Sequence, residues 1–315
     1  MHSDDEYNRH KQSRKKTIKS EKMRIGVVGT TNGWSSEKLA DKFEEITGFR
    51  LLVDMDKFCV DLNSKKAMYE NIELTELDAL VIKKIGARYS PDLLDRLECL
   101  RYLHETGLPV FSSPMSIMRV LNRLSCTVTM QRAQIPMPET TITEDIDKAL
   151  ETVDKYGQAV LKPLYSSKAR GMCLVESGKN ARETITVFKS ENPIMYIQKK
   201  IELNGRDLGV AFMGGKYLAT YSRCKQNDSW NTTTADGGKY APYNPAPESI
   251  AVAERAQALF SLDFTCVDVV ETSNGPVVFE VSAFGGFRGL RDACGLDAAA
   301  MLARYVLGRL ENDPS

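Results

Sequence analysis

Near its C-terminus the chain reads Phe264-Thr265-Cys266-Val267-Asp268-Val269-Val270 and, a few residues later, Gly275-Pro276-Val277-Val278-Phe279-Glu280-Val281-Ser282. The Val- and Phe-rich composition of both stretches predicts strands. Asn274-Gly275 between them is typical of a hairpin turn, because both residues tolerate a positive φ. Antiparallel strands joined in this way would place Asp268 and Glu280 beside each other on one face of a sheet.

Two neighbouring acids in apolar strands call for a partner of opposite charge. Burial of an unpaired charge is costly, and two like charges repel each other. The pair is therefore typical of a site for a hard divalent cation, for which Mg²⁺ with oxygen ligands is the usual choice. Alternatively, both acids lie at strand ends and face water, and the hairpin by itself does not decide between the two interpretations.

The composition excludes several classes of protein. The 315 residues suffice for two domains or three small ones, and Lys plus Arg balance Asp plus Glu at 42 each. This balance gives no charge field directed at nucleic acid, and no apolar run is long enough to span a membrane. The 7 cysteines are scattered without a C-x-x-C pair. We therefore expect a cytoplasmic protein with reduced thiols and with neither a membrane nor a nucleic-acid partner.

The chain begins with a tail and a first α/β domain. Residues 1–22 are polar and lysine-rich, which predicts disorder. Residues 23–112 show a β-α-β pattern that predicts an α/β domain. The spacing Gly26-x-x-Gly29-x-x-x-Gly33 departs from the dinucleotide fingerprint, so we do not expect NAD. Two further segments follow this domain, 113–195 and 196–315.

A loop in the second segment has the composition of an anion-binding turn. An apolar strand ends in Lys162-Pro163, and Ser166, Ser167 and Gly171 follow before the next apolar run. Small residues let backbone N–H groups approach a phosphate closely, and the lysine supplies positive charge. The pattern predicts a hairpin that covers phosphates, although an exposed turn has the same composition.

Four blocks of sequence occur in one order between about residues 115 and 290. They are Leu121-Asn122-Arg123-Leu124-Ser125 through Ile135-Pro136-Met137-Pro138-Glu139-Thr140, Val160-Leu161-Lys162-Pro163 with Gly171, Ile197-Gln198-Lys199-Lys200-Ile201-Glu202 with Gly205-Arg206-Asp207 and Arg223, and Val267-Asp268-Val269 with Phe279-Glu280-Val281-Ser282. Together they resemble the ATP-grasp ligases, and specifically the RimK-like branch. The resemblance implies an α/β (α+β) ATP-grasp fold preceded by a Rossmann-like pre-ATP-grasp domain at 23–112. Residues 113–195 would be the central subdomain, and 196–315 the C-terminal subdomain with the metal site.

A narrower resemblance concerns two segments of the second half. Asp228-Ser229-Trp230-Asn231-Thr232-Thr233-Thr234 and Val281-Ser282-Ala283-Phe284-Gly285-Gly286-Phe287-Arg288-Gly289-Leu290 look most like the ATP-grasp member of the three-gene GAK system. This placement implies no particular substrate.

The resemblance implies roles for the charged residues. Lys162 and Arg123 would contact nucleotide phosphates, which need a charge that persists at neutral pH. Arg223 would be catalytic, because it would face the transferred phosphate and stabilise developing charge. Asp268 and Glu280 would hold a metal ion that bridges the β- and γ-phosphates.

The resemblance also implies a binding strand for the base. The strand from Gln198 to Glu202 would be the hinge along adenine, with either of these two side chains taking the amino group, and Asp207 would lie near the ribose. The full set expected to bind the nucleotide is Arg123, Lys162, Ser166, Ser167, Gly171, Gln198, Lys199, Lys200, Ile201, Glu202 and Asp207.

Three positions depart from the family pattern. Ser282 stands where RimK-like ligases usually have asparagine, and its hydroxyl is a weaker metal ligand than an amide oxygen. Ser282 therefore remains a candidate ligand, while the number of ions, one or two Mg²⁺ with Mn²⁺ as a substitute, stays open. Gly209 stands where an arginine is common, and the acid sometimes found near Lys199 is missing.

The function implied is an ATP- and Mg²⁺-dependent ligase that joins a carboxylate to an amine through an acylphosphate. Small-molecule substrates such as glutamate or another amino acid, or a peptide acceptor, fit this chemistry. Arg288 and Arg291 are candidates for holding a substrate carboxylate, although the start of a surface helix has the same pattern. Alternatives are a small-molecule kinase and, because of Ser282, a nucleotide-binding regulatory protein with little turnover. A homo-oligomer is left open.

Overall fold

The computed structural model describes residues 23–167, 169–226, 230–233 and 237–312. The predicted tail at 1–22 lies outside the described residues, and so does part of the segment 228–234 that carries the GAK resemblance. The described chain forms two compact units. The first holds residues 23–87, 92–115 and 296–312, and the second holds residues 88–91 and 116–295.

Helices and strands alternate along the described chain. The helices are α1 (Trp34–Thr47), α2 (Asp92–Glu105), α3 (Pro114–Leu121), α4 (Arg123–Arg132), α5 (Ile146–Tyr156), α6 (Ala181–Glu191), α7 (Pro247–Ala258), α8 (Phe287–Cys294) and α9 (Ala298–Asn312). The strands are β1 (Ile25–Gly29), β2 (Leu52–Asp54), β3 (Phe58–Asp61), β4 (Lys66–Tyr69), β5 (Ile72–Glu73), β6 (Ala79–Ile82), β7 (Val110–Phe111), β8 (Thr140–Thr143), β9 (Gln158–Lys162), β10 (Cys173–Glu176), β11 (Met195–Lys199), β12 (Arg206–Met213), β13 (Lys216–Cys224), β14 (Lys239–Pro242), β15 (Phe264–Thr272) and β16 (Gly275–Val281). Within the described ranges, no helix combines the length and the apolar composition that crossing a membrane requires.

The first unit is built on a parallel sheet with the strand order β2-β1-β6-β7. Every residue of β1 and β6 is buried, as expected of parallel strands that are covered on both faces. The sheet agrees with the α/β pattern predicted for this part of the chain. A small antiparallel sheet, β3-β4-β5, is inserted between β2 and β6.

Two helices of the first unit come from opposite ends of the chain. α1 ends at Gly48, whose φ of 73° is the left-handed conformation that glycine adopts without strain. α9 packs against α1, with Leu302 and Val306 buried. The sequence-based division assigned α9 to the segment 196–315, whereas its packing places it in the first unit.

The second unit contains two antiparallel sheets, of which the central one has the order β10-β9-β11-β8. Successive residues along its strands point alternately to two environments. Leu161 and Ile197 point into the apolar core under α5 and α6, and the next residues along each strand, Lys162 and Gln198, point to the opposite face. β11 begins at residue 195 and lies inside this sheet, so the central sheet continues past the boundary expected from sequence.

The C-terminal sheet of the second unit has the order β14-β13-β12-β15-β16. The predicted hairpin is confirmed: β15 and β16 are antiparallel, and the turn ends at Gly275 with a φ of 102°. α7 packs against β15 and β16, and α8 packs against β13 and β14. α8 approaches the sheet closely, because a Cβ atom on Gly289 would lie 2.5 Å from the Tyr221 ring.

Candidate nucleotide and metal site

Asp268 and Glu280 are directly opposite each other across β15 and β16. Residues in register on neighbouring antiparallel strands have side chains on the same face of the sheet. A bulge follows Asp268, so the pairing moves to Val269 with Val278 beyond it. Ser282 continues the ladder, because its N–H donates to Cys266 O at 2.8 Å. Strand alternation therefore puts Ser282 on the face that carries Glu280.

Arg123 connects the acid pair with the serine loop. Its Nη1 lies 3.1 Å from Glu280 Oε2, its Nε donates to Pro163 O at 3.1 Å, and its Nη2 donates to Ser166 Oγ at 3.3 Å. Arg123 is the first residue of α4, where the Asn122 side chain caps the helix by accepting from Ser125 N. The cap fixes the point from which this buried arginine reaches the site.

Lys162 is a buried cation at the end of β9. Its Nζ donates to Gln198 Oε1 at 2.5 Å and lies 5.1 Å from the centre of the Phe279 ring. Burial and the nearby positive charge of Arg123 lower its pKa to about 7, against the opposing effect of Glu280 and Asp268. An anionic ligand would raise the pKa of Lys162 again, because a nearby negative charge stabilises the protonated ammonium group.

Arg223 joins two acids on the same sheet face. Its Nη2 lies 2.9 Å from Asp268 Oδ1, and its Nε donates to both carboxylate oxygens of Asp207 at 3.1 Å. Asp207 also accepts from the buried Thr232 hydroxyl. Burial raises the pKa of Asp268 to about 7; Arg223 opposes the rise, and the charges of Asp207 and Glu280 add to it.

The structure explains the departure at Gly209. Gly209 is directly opposite both Tyr221 on β13 and Asp268 on β15. A Cβ atom on Gly209 would lie 2.4 Å from the Tyr221 ring, so Tyr221 occupies the space of any side chain at this position. The Tyr221 hydroxyl lies 3.4 Å from Cys266 Sγ. A buried tyrosine therefore fills the place where the family pattern often has an arginine.

The serine loop connects β9 and β10 as an antiparallel hairpin, as expected. Ser166 Oγ contacts Arg123, and Ser167 O accepts from Arg170 N at 3.3 Å. Gly171 has a φ of 69°, which a residue with a side chain would adopt only with strain. The loop thus lies beside Arg123.

The hinge strand distributes its side chains in two directions. Lys199 Nζ pairs with Glu139 Oε1 at 2.6 Å, and Lys200 Nζ lies 3.0 Å from Gln158 Oε1 and 2.9 Å from Glu202 Oε1. Ile201, next to them, is half-buried, and Glu202 is exposed. The Gln198 side chain is buried and accepts a hydrogen bond from Lys162 Nζ, and the expected contact of Gln198 or Glu202 with adenine stays a prediction.

Arg288 is the second residue of α8 and Arg291 lies in its last turn, and both side chains are exposed. Arg291 Nε donates to the neighbouring Asp292 at 2.6 Å. Both the expected role at a substrate carboxylate and the alternative of a surface helix start are compatible with this position.

Asp268 and Glu280 fit a bound Mg²⁺ if phosphate oxygens and water supply its remaining ligands. In the described part of the chain, no three His, Cys, Asp or Glu residues form a group that could hold a metal ion. Mg²⁺ is usually bound by one or two carboxylates together with phosphate oxygens and water. Asp268 and Glu280 supply two carboxylates, and a cation beside them would oppose the burial that raises the pKa of Asp268.

Residues missed by sequence reasoning complete the site. Tyr196 is 2% exposed, and its hydroxyl lies 3.0 Å from Thr127 Oγ1 and 3.3 Å from Gln198 Nε2. Thr232 binds Asp207. Strand alternation could have placed Tyr196 on the same face as Gln198, two residues further on, but no spacing in the sequence connects Thr232 with Asp207.

Fold and site together define an ATP-grasp protein. A family model described as the RimK-like ATP-grasp domain matches residues 120–306, which is more than half of the chain. The chain therefore belongs to the RimK-like ATP-grasp family, and the membership predicted from the four blocks is confirmed. The narrower placement in the GAK system stays a prediction.

Other proteins are similar to this chain in sequence or in fold. Tetrahydromethanopterin:alpha-L-glutamate ligase of Methanosarcina acetivorans is 26% identical, over 90% of this chain and 98% of that protein. The RimK domain ATP-grasp protein of Sphaerobacter thermophilus superposes with a TM-score of 0.68 at 22% identity, over 90% of this chain and 100% of that chain. The ATP-grasp ligase PsnB, complexed with minimal precursor, Mg and ADP, has a TM-score of 0.69 at 16% identity, over 92% of this chain and 97% of that chain.

Proposed function

We propose that the protein is an ATP- and Mg²⁺-dependent ligase that joins a carboxylate to an amine. The observation that carries the proposal is the direct pairing of Asp268 with Glu280, with Arg123 and Arg223 each bonded to one of the two acids. Ionic groups from several elements meet here, as the binding of a triphosphate and a divalent cation requires. The curated relative named as an alpha-L-glutamate ligase supports an amino acid as the amine.

Arg123 and Lys162 would bind the ATP phosphates, because both are buried cations beside the acid pair. Ser166, Ser167 and Gly171 would cover the phosphates through backbone N–H groups, and Asp207 would lie near the ribose. The hinge residues Lys199, Lys200, Ile201 and Glu202 would line the base.

Asp268 and Glu280 would hold Mg²⁺, with Ser282 as a further oxygen donor. The bound ion would neutralise charge on the phosphates and orient the γ-phosphoryl group. Arg223 already contacts Asp268, so it lies where it could stabilise charge on a phosphoryl group in transfer.

The proposed reaction has two steps. A substrate carboxylate oxygen attacks the γ-phosphorus, so a new P–O bond forms while the bond to the ADP oxygen breaks. An amine then attacks the carbonyl carbon of the acylphosphate, phosphate leaves, and an amide remains. Positioning and charge neutralisation by the protein account for most of the catalysis in such transfers. Arg288 and Arg291 would hold the carboxylate substrate.

The substrates and setting are proposed from similar proteins and from composition. Glutamate or another amino acid is the favoured amine, and a peptide is the alternative acceptor, since PsnB was solved with a minimal precursor. The cysteines in the described ranges are free, which suits the cytoplasm.

Trapping with hydroxylamine tests the proposal. The protein is incubated with MgATP and a panel of carboxylates and amino acids, and ADP, amide and hydroxamate are measured. A hydroxamate that depends on one carboxylate is expected, and Glu280→Gln should abolish it. A phosphorylated alcohol without hydroxamate would instead identify a kinase. Tight MgATP binding without ADP release would favour the regulatory protein suggested by Ser282.

A further inference from the structure

A chain of buried polar side chains leads from α4 to Lys162. Thr127 Oγ1 lies 3.0 Å from the Tyr196 hydroxyl, Gln198 Nε2 donates to that hydroxyl at 3.3 Å, and Gln198 Oε1 accepts from Lys162 Nζ at 2.5 Å. The exposed fractions are 7% for Thr127, 2% for Tyr196, 3% for Gln198 and 8% for Lys162. Solvent therefore has little part in these contacts.

The strand register of the central sheet accounts for this arrangement. Tyr196 is directly opposite Lys162 on β9, and Gln198 is directly opposite Thr140 on β8. Gln198 thus lies between the Thr140 hydroxyl on β8 and Lys162, which is diagonally across from it on β9. Both groups are within reach of the long Gln198 side chain.

The amide of Gln198 can take one orientation here. Its Nε2 has two protons, which go to Thr140 Oγ1 at 3.1 Å and to the Tyr196 hydroxyl at 3.3 Å. Its Oε1 is then left for Lys162, whose ammonium group donates and cannot accept. The Tyr196 hydroxyl and Thr127 Oγ1 lie 3.0 Å apart and share a hydrogen bond in which either oxygen can donate. The orientation of the Gln198 amide is therefore fixed by Lys162 on one side and by two hydroxyl groups on the other.

Tyr196 also contacts the second basic residue. The guanidinium carbon of Arg123 lies 5.9 Å from the centre of the Tyr196 ring, within the range of a cation–π interaction. One tyrosine thus supports Arg123 directly and Lys162 through Gln198.

We propose that Gln198 is a positioning residue that holds Lys162 against the nucleotide phosphates, and that it does not read the adenine base with its side chain. The inference rests on the proposed ATP binding. A neutral acceptor suits this role, because it orients the ammonium group without neutralising it. A carboxylate at the same place would pair with the lysine and compete with the phosphates.

Binding measurements with ATP and adenosine separate the two roles. In Gln198→Met the orientation of Lys162 is lost, so we expect the Kd for MgATP to rise about tenfold, the size of one charge-assisted hydrogen bond. The Kd for adenosine, measured by competition with a fluorescent ATP analogue, should not change. Gln198→Glu should weaken MgATP binding as well, with adenosine again unaffected.

A matched control and a double variant complete the test. Gln257 is also 3% exposed and bonds Gly215 O through its Nε2. Gln257→Met should leave both Kd values unchanged. Gln198→Met should add little to the loss caused by Lys162→Met, because both remove one interaction.

Three results would overturn the inference. They are an equal loss of adenosine and ATP affinity in Gln198→Met, a changed preference between ATP and GTP, or fully additive effects with Lys162→Met. Wild-type protein that binds MgATP but forms no amide would remove the proposed ligase activity and leave this inference standing. Wild-type protein that fails to bind MgATP would overturn both.

Discussion

Lys162 and Asp268 are two charged groups whose surroundings favour their neutral forms. Burial is the main cause in each case, and it brings the pKa of both groups to about 7 from opposite directions. Arg123 adds to the shift for the lysine, while Asp207 and Glu280 add to the shift for the aspartate. A triphosphate would supply negative charge beside Lys162, and a magnesium ion would supply positive charge beside Asp268. Binding should therefore favour protonated Lys162 and deprotonated Asp268.

Proton exchange on MgATP binding should therefore reverse sign near pH 7. At pH 8 the free Lys162 is mostly neutral because its pKa is about 7, and phosphates favour its charged form, so a proton is taken up. At pH 6 the free Asp268 is mostly protonated because its pKa is also about 7, and a cation favours the carboxylate, so a proton is released. Calorimetry in buffers of different ionisation enthalpy measures this exchange.

Two variants control this experiment. Lys162→Met should lose the uptake at pH 8, and Asp268→Asn should lose the release at pH 6. Exchange of the same sign at both pH values in the wild-type protein would contradict the assignment.

Arg223 offers a second test at the scale of the residue. Arg223→Lys keeps a positive charge near Asp207 and Asp268 but loses the planar fork that bonds both. We expect the rate of amide formation to fall about 10²–10³-fold, while the melting temperature changes little. Arg206→Lys on β12 is the control, because Arg206 is exposed and packs on Tyr243. Equal rates for the two variants would show that Arg223 has no special part in the reaction.

Among the elements, the β15–β16 hairpin follows most directly from the sequence. Its two apolar runs and the turn residues between them predict two antiparallel strands with Asp268 and Glu280 as neighbours on one face, as observed. The exact register also depends on the bulge after Asp268, which the sequence did not indicate. The sheet of β3, β4 and β5 was not predicted, because strands of two to four residues are too short for periodicity in the sequence to identify them. The contact of Gln198 with Lys162 was not predicted either, since a side chain's partner depends on which strands flank it.

The turn of the hairpin provides a stability test. Gly275 has a φ of 102°, and no atom lies within 4 Å of a Cβ built there, so Gly275→Ala adds backbone strain without a clash. We expect the free energy of unfolding to fall by about 1–2 kcal/mol. Denaturant unfolding measures the change.

Gly308→Ala is the matched control for this variant. Gly308 lies within α9, and a Cβ atom there would also meet nothing within 4 Å. Alanine is the better helix former, so we expect a gain of about 0.5–1 kcal/mol. A loss at Gly308 equal to that at Gly275 would show that the left-handed turn is not the cause.

At the scale of the whole molecule, the chain crosses between its two units more than once. The C-terminal helix α9 returns to the first unit and packs on α1, over 250 residues away in sequence. Sequence order alone suggested that α9 belongs to the last subdomain, because helix periodicity identifies an apolar face and not its partner. For the second unit, the family resemblance predicted more than periodicity did, because the four blocks that carry the resemblance contain the candidate site residues.

The packing of α9 predicts a long-range effect of a single substitution. Leu302 is 3% exposed, so Leu302→Ala should destabilise the first unit by about 2–4 kcal/mol. Hydrogen exchange should accelerate in α1 and stay unchanged in β15 and β16, which belong to the other unit. Faster exchange in β15 and β16 alone would contradict the assignment of α9.

The proposed activity depends above all on a metal ion and a triphosphate that bind together at the pair Asp268 and Glu280. A crystal structure with Mn²⁺ and a non-hydrolysable ATP analogue, phased on the manganese anomalous signal, tests this most directly. We predict manganese at about 2.1 Å from carboxylate oxygens of Asp268 and Glu280, as is typical of Mg²⁺ sites, with Arg123 and Lys162 on the phosphates. Manganese bound elsewhere, or a triphosphate that leaves these four side chains untouched, would contradict the account.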